Sequence, residues 1–97
     1  MRVVRLTIRG YVQGVGYRAF VEDEAIARGL KGWVRNRRDG CVEAMIAGES
    51  AEVDAMIVAC RGGPRSARVD AVEIAEADEK ALAARRPGED FSMLPTA

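Results

Sequence analysis

The residues best suited to chemistry in this sequence are Arg18 and the glycines that precede it. They lie in Gly10-Tyr11-Val12-Gln13-Gly14-Val15-Gly16-Tyr17-Arg18, where a strand-like pattern gives way to a helical one. A helix start carries main-chain N–H groups without intrahelical acceptors and the positive end of the helix dipole, which together suit a phosphate-sized anion. Gly14 and Gly16 let the backbone close around such a ligand, and the Arg18 guanidinium can grip two of its oxygens at once. Taken alone, this signal is weak, because most strand-to-helix turns only reverse the chain. Nor does the spacing match the phosphate loop that ends in Gly-Lys-Ser/Thr, or Gly-x-Gly-x-x-Gly.

Several chemistries are excluded by what is missing. The chain has no histidine, which removes the commonest general base and the commonest transition-metal ligand. Cys41 and Cys60 are far apart and lack a partner imidazole, so a zinc site or a cysteine nucleophile is not expected and both read as small buried hydrophobes. Positive and negative groups cancel overall, yet residues 1–40 carry nine basic against four acidic groups, and residues 41–97 six against eleven. A basic first part suits a small anionic ligand, whereas a neutral total argues against nucleic acid.

The elements that must hold these groups follow from periodicity. Val4, Leu6 and Ile8 alternate with Arg5, Thr7 and Arg9, which predicts a strand over about residues 3–9 ended by Gly10. Tyr17, Val21 and Ala25 step by four and predict a helix from Tyr17 to about Arg28, with Glu24 and Arg28 spaced to pair and Gly29 as the stop. Gly32–Asn36 and Cys41–Ile46 flank Arg38-Asp39-Gly40 and read as a hairpin. Ser50 is expected to cap a second helix, whose face is Val53, Met56, Ile57 and Cys60. Val69, Ala71, Val72 and Ile74 make a fourth strand, and the break in alternation between Ala71 and Val72 suggests a bulge or a shared face.

Residues 75–90 read as an exposed connection with room for a helical turn, and residues 91–94 as a short edge strand before Pro95. The order β-α-β-β-α-β predicts an α+β, ferredoxin-like sandwich: an antiparallel sheet with two helices on one face. At 97 residues the chain is expected to be one domain spanning 1–97, and a monomer. That architecture serves many functions, so it does not itself name one.

The motifs do more. Gly10-x-Val12-Gln13-Gly14-Val15-x-Tyr17-Arg18 is similar to the signature of the acylphosphatase family, which usually has Phe where Tyr17 stands. Gly29-Leu30-x-Gly32-Trp33-Val34-x-Asn36, followed by Asp39-Gly40-x-Val42-Glu43, resembles that family's second motif. A third run passes through Gly48, Gly63-Pro64, Ala67 and Val69, so the likeness covers about residues 5–74, with Phe91 as an anchor in the last strand. The resemblance implies hydrolysis of the carboxyl–phosphate bond of acyl phosphates, without metal or organic cofactor. It assigns phosphoryl binding to Arg18 and a cradle of loop N–H groups, here those of Gln13, Gly14, Val15, Gly16, Tyr17 and Arg18, and orientation of the attacking water to Asn36.

Elementary chemistry agrees with that assignment. The leaving carboxylate has a conjugate acid with a pKa of about 4, so it departs without a general acid and histidine is not needed. Arg35, Arg37 and Arg38 either draw anionic substrate in or simply charge the hairpin, and Trp33 is expected to pack on the sheet. Two rival readings stay open from sequence. One is a noncatalytic anion-binding regulatory module. The other is an RNA-binding domain, disfavoured because the first and third strands as predicted carry no aromatic residue for base stacking. With no apolar run of roughly 20 residues and no leader-like start, a cytoplasmic protein is expected, with no membrane partner.

Overall fold

In the computed structural model, which describes residues 1–97, the predicted alternation becomes a physical one. Val4, Leu6 and Ile8 are fully buried on one face of β1 (Arg2–Tyr11), whereas Arg5 and Arg9 face the other way. The strand runs past Gly10 rather than ending there, because Gly10 and Tyr11 still pair with Val69 and Arg68. Next come α1 (Tyr17–Ala27), β2 (Lys31–Asn36), β3 (Val42–Gly48), α2 (Ser50–Gly62), β4 (Arg68–Glu76) and β5 (Phe91–Met93). The sheet order is β4-β1-β3-β2-β5.

Both helices press one face of this sheet. Tyr17, Val21 and Ala25 of α1 and Val53, Met56 and Cys60 of α2 share a core with Val4, Leu6, Ile8, Val34, Val42, Ala44 and Ile46. Removing each large aliphatic side chain from water contributes about 1.5–3 kcal/mol, so this cluster is the main support of the fold. Within α1, Arg28 and Glu24 do pair, at 3.1 Å. The helix ends where the Leu30 N–H donates back to the Ala25 carbonyl, at 2.9 Å.

The sheet is mixed, not wholly antiparallel as the sequence suggested. β1, β2, β3 and β4 pair antiparallel, but β5 runs parallel to β2. The reason is topological. β4 lies at the far edge and points opposite to β2, so a chain that turns back from its end and crosses to the other edge must run alongside β2 in the same direction.

The crossing over residues 75–90 is mostly exposed and holds a helical turn, as read, but one residue of it, Leu82, is buried. A 3-10 helix (Glu79–Ala84) lays Leu82 against Val3, Trp33, Met45 and Ala47 on the face the two long helices leave open. The Trp33 indole N–H donates to the Ala81 carbonyl at 2.8 Å and anchors that cover, while the Arg35 guanidinium stacks 4.7 Å from the ring centroid. Trp33 is therefore the packing residue the sequence predicted. No helix is long and apolar enough to cross a membrane.

Two local expectations move. Ser50 is the first residue of α2 rather than its cap, and Glu49 precedes it in extended conformation with no side-chain cap bond. The bulge in β4 falls at Asp70, which is skipped between the pairs Arg9–Ala71 and Gly10–Val69. This one-residue insertion lets Val69 and Val72, three apart, both pack on the core.

Candidate active site

The loop between β1 and α1 is shaped by its glycines. Gly14 has φ +74° and Gly16 φ +80°, a left-handed region that other residues rarely adopt, and Gly16 is the N-cap of α1. A side chain at either position would meet nothing within 4 Å, so open space and backbone angle, not packing, set the requirement for glycine. No turn or loop hydrogen bond uses the N–H groups of Gln13, Gly14, Val15 or Gly16. The first intrahelical bond is Phe20 N–H to Gly16 carbonyl at 3.1 Å, which leaves the N–H groups of Tyr17, Arg18 and Ala19 without an intrahelical acceptor. These N–H groups are free of main-chain acceptors.

Beside it lies a cavity of about 140 Å³ lined by Gly14, Gly16, Tyr17, Arg18 and Asn36, with Val12, Ala19 and Met93 completing the wall. Arg18 and Asn36 thus meet in one small space although they belong to α1 and β2. Arg18 is half-buried and pairs with no carboxylate of the chain. The Asn36 Oδ1 atom is buried in the folded chain and has no hydrogen-bond partner. A buried polar oxygen without a donor costs roughly 1–3 kcal/mol, so this one is suited to a water or ligand hydrogen.

Gln13 and Val15 do not line the cavity; they tether the loop. The Gln13 side-chain amide donates to the carbonyls of Arg37 at 2.7 Å and Cys41 at 2.8 Å, and the Val15 carbonyl accepts from Ser66 Oγ at 2.6 Å. Tyr17 is buried with its hydroxyl donating to the Cys60 carbonyl at 2.7 Å, so only its main chain faces the loop. Burial, then the charge that a Cys60 thiolate would carry, pushes the Tyr17 phenol well above its ordinary range, and it stays protonated.

Two of the three hairpin arginines are committed elsewhere. Arg35 and Arg37 reach Glu43 at 2.8 and 3.3 Å, with Arg5 at 3.9 Å, and all of them lie on the sheet face away from α1. Met93 was missed as a wall residue, since the reach of residue 93 depends on the parallel pairing of β5 with β2. The tail then continues along β2: the Ala97 N–H donates to the Asn36 carbonyl, and the Arg38 N–H to the Ala97 carbonyl, both at 3.0 Å. No three histidine, cysteine, aspartate or glutamate side chains gather as a metal-ligand group.

A family model described as Acylphosphatase matches residues 4–93. The chain belongs to the acylphosphatase family. It is 59% identical over 96 residues to an acylphosphatase of Bradyrhizobium diazoefficiens, covering 97% of this chain and 95% of that one. Among solved structures, the acylphosphatase of Bacillus subtilis superposes with a TM-score of 0.83 at 34% identity, over 97% of this chain and 99% of that chain. The crystal structure of full-length HypF in the phosphate- and nucleotide-bound form matches 98% of this chain and 12% of its own, with a TM-score of 0.84 at 27% identity. The acylphosphatase fold and enzyme class read from the motifs therefore stand. The chain hydrolyses acyl phosphates to carboxylate and phosphate, and the noncatalytic regulatory reading is not favoured.

Proposed function

We propose that residues 1–97 act as one metal-independent acylphosphatase unit in which Arg18 and the N–H groups of residues 13–18 hold the phosphoryl group while Asn36 orients the attacking water. The observation that carries this reading is that Asn36, whose Oδ1 has no hydrogen-bond partner within the chain, lines the same small cavity as Arg18, Gly14 and Gly16. Water approaches phosphorus in line as the bond from phosphorus to the acyl oxygen breaks. The electron pair leaves with the carboxylate, and the water proton passes to a phosphate oxygen, so a dianionic acyl phosphate gives a carboxylate and dihydrogen phosphate. Asn36 accepts a hydrogen bond from the water but takes no proton. Fixed positive charge on the phosphoryl oxygens and correct aim of the nucleophile supply most of what phosphoryl transfer requires.

The substrate is a small acyl phosphate, consistent with the size of the cavity. The buried unpaired thiols Cys41 and Cys60 suit a reducing compartment, and we place the protein in the cytoplasm as a monomer that binds neither nucleic acid nor membrane. Benzoyl phosphate hydrolysis without added metal, measured for the intact chain and for Arg18→Ala and Asn36→Ala, tests the assignment. Turnover that disappears with a chelator, or an Arg18→Ala enzyme with normal kcat/KM, overturns it. Gel filtration tests the monomer.

A further inference from the structure

We propose that the side chain of Gln13 is a positioning residue, a strap that sets the phosphate-holding loop against the strand end carrying Asn36. The inference rests on the reading of Arg18 and Asn36 given above. Two halves of the site come from different parts of the chain: the cradle from the β1–α1 loop, and the carboxamide from the last residue of β2. Asn36 is already held along its own sheet, paired with Val42 of β3 on one side and bonded through its carbonyl to Ala97 on the other. None of those contacts reaches the cradle.

Gln13 does. Its Nε2 carries two hydrogens, and two carbonyls accept them: Arg37, the residue directly after Asn36, at 2.7 Å, and Cys41, where the hairpin closes, at 2.8 Å. The same carbonyls also accept from within the turn, Cys41 from the Arg37 N–H at 2.9 Å and Arg37 from the Gly40 N–H at 3.1 Å. The amide therefore docks on a turn that is already rigid. Val15 is fixed separately by Ser66, so the loop is hydrogen-bonded at two points, and of these only Gln13 ties it to the Asn36 hairpin. Catalysis by orientation depends on such distances, and a misplacement of about 1 Å can cost on the order of a hundredfold in rate. The cradle and Arg18 still bind a phosphoryl group when the strap is cut; the water held by Asn36 no longer points at phosphorus.

The test is steady-state hydrolysis of benzoyl phosphate by Gln13→Met, Gln13→Glu and Gln13→Lys, each also made in the Asn36→Ala background. Met keeps the length but no donor, and Glu keeps the shape but sets acceptors against two carbonyls, so kcat should fall about tenfold or more with KM within about twofold. Lys keeps donors and should recover most of the loss. In the Asn36→Ala background the Gln13→Met change should cost less than about twofold, since the geometry it guards is already gone. A packing role predicts the opposite order, with Glu tolerated best and losses equal in both backgrounds, and that result overturns the proposal. Folding failure in a variant leaves a measurement on the intact chain: the Gln13 side-chain amide protons should exchange with water at least about tenfold slower than those of an exposed glutamine, and free exchange refutes the strap. An intact chain without activity defeats the functional reading itself. An active chain with unimpaired Gln13 variants defeats only the strap.

Discussion

The Tyr17 hydroxyl donates a 2.7 Å hydrogen bond to the Cys60 carbonyl, joining the first residue of α1 to the last turn of α2. The family's usual phenylalanine has no such donor. Tyr17→Phe should therefore lower stability by about 1–2 kcal/mol, because it leaves a buried carbonyl unsatisfied, and should leave kcat within about twofold. Urea denaturation and benzoyl phosphate turnover on the same preparation check both halves.

Two glycines of the motifs predict different failures. At Gly32 a Cβ would sit 1.7 Å from the Met45 carbonyl oxygen, a clash with backbone that the sheet cannot relieve, so Gly32→Ala should prevent stable folding. At Gly16 a Cβ would meet nothing within 4 Å, and only the positive φ is strained. Gly16→Ala should lose about 1–2 kcal/mol of stability yet at least about tenfold in kcat/KM, as the cradle shifts. Circular dichroism separates the two.

Much of this was legible in the sequence, and what was not has a common cause. The alternation of Val4, Leu6 and Ile8 and the helical face Val53, Met56, Ile57 and Cys60 are local patterns, and all seven residues are buried as read. A helical turn was legible in residues 75–90, but its docking through Leu82 was not, because Leu82 is a lone large apolar residue among alanines and charges and shows no period to detect. The ties that shape the site join residues 13 to 37 and 36 to 97, separations at which no sequence period exists. Motif spacing pointed to Arg18 and Asn36 together. It could not tell that the side chain of Gln13 bonds the hairpin carbonyls instead of lining the cavity, or that Met93 forms part of the wall.

Arg35 and Arg37 flank Asn36 in sequence but point to the other face of the sheet, where Glu43, 8% exposed, receives both. Glu43→Ala should cost about 1–2 kcal/mol by leaving three partly exposed arginines, Arg5, Arg35 and Arg37, without their shared partner. Substrate affinity at moderate salt should be nearly unchanged, because none of these arginines faces the cavity. A KM that rose severalfold would show that these charges do steer the ligand.

Alkaline pH should weaken the fold. Burial, the larger cause in each case, raises the Cys41 and Cys60 thiols from 9.0 to about 11, and Tyr17 moves in the same direction. All three bind protons more tightly folded than unfolded. The contribution of the thiols is complete below about pH 9 and is lost as pH rises toward about 11, and that of the phenol is lost only above pH 10, where the unfolded chain has released protons the folded one keeps. Urea midpoints should fall across that window, and alkylation of the native thiols at pH 7.5 should be negligible until denaturant is added. A midpoint constant from pH 8 to 11 would falsify the shifts.

Asn36 and Arg18 should fail in distinguishable ways. Arg18→Ala removes a charge that holds the phosphoryl group before and during reaction, so KM should rise and kcat/KM fall roughly a thousandfold. Arg18→Lys should rescue little, since an ammonium cannot grip two oxygens in the plane of a guanidinium. Asn36→Ala removes only the aim of the water, so kcat should fall about a hundredfold with KM nearly constant. Asn36→Asp is the sharper variant. It places a base beside the water but also a negative charge beside the phosphoryl oxygens. If the substrate's own phosphate takes the proton, repulsion dominates and the variant is slower than the parent at neutral pH. A faster Asn36→Asp enzyme would mean that a side-chain base, absent from the natural site, is what the reaction lacks.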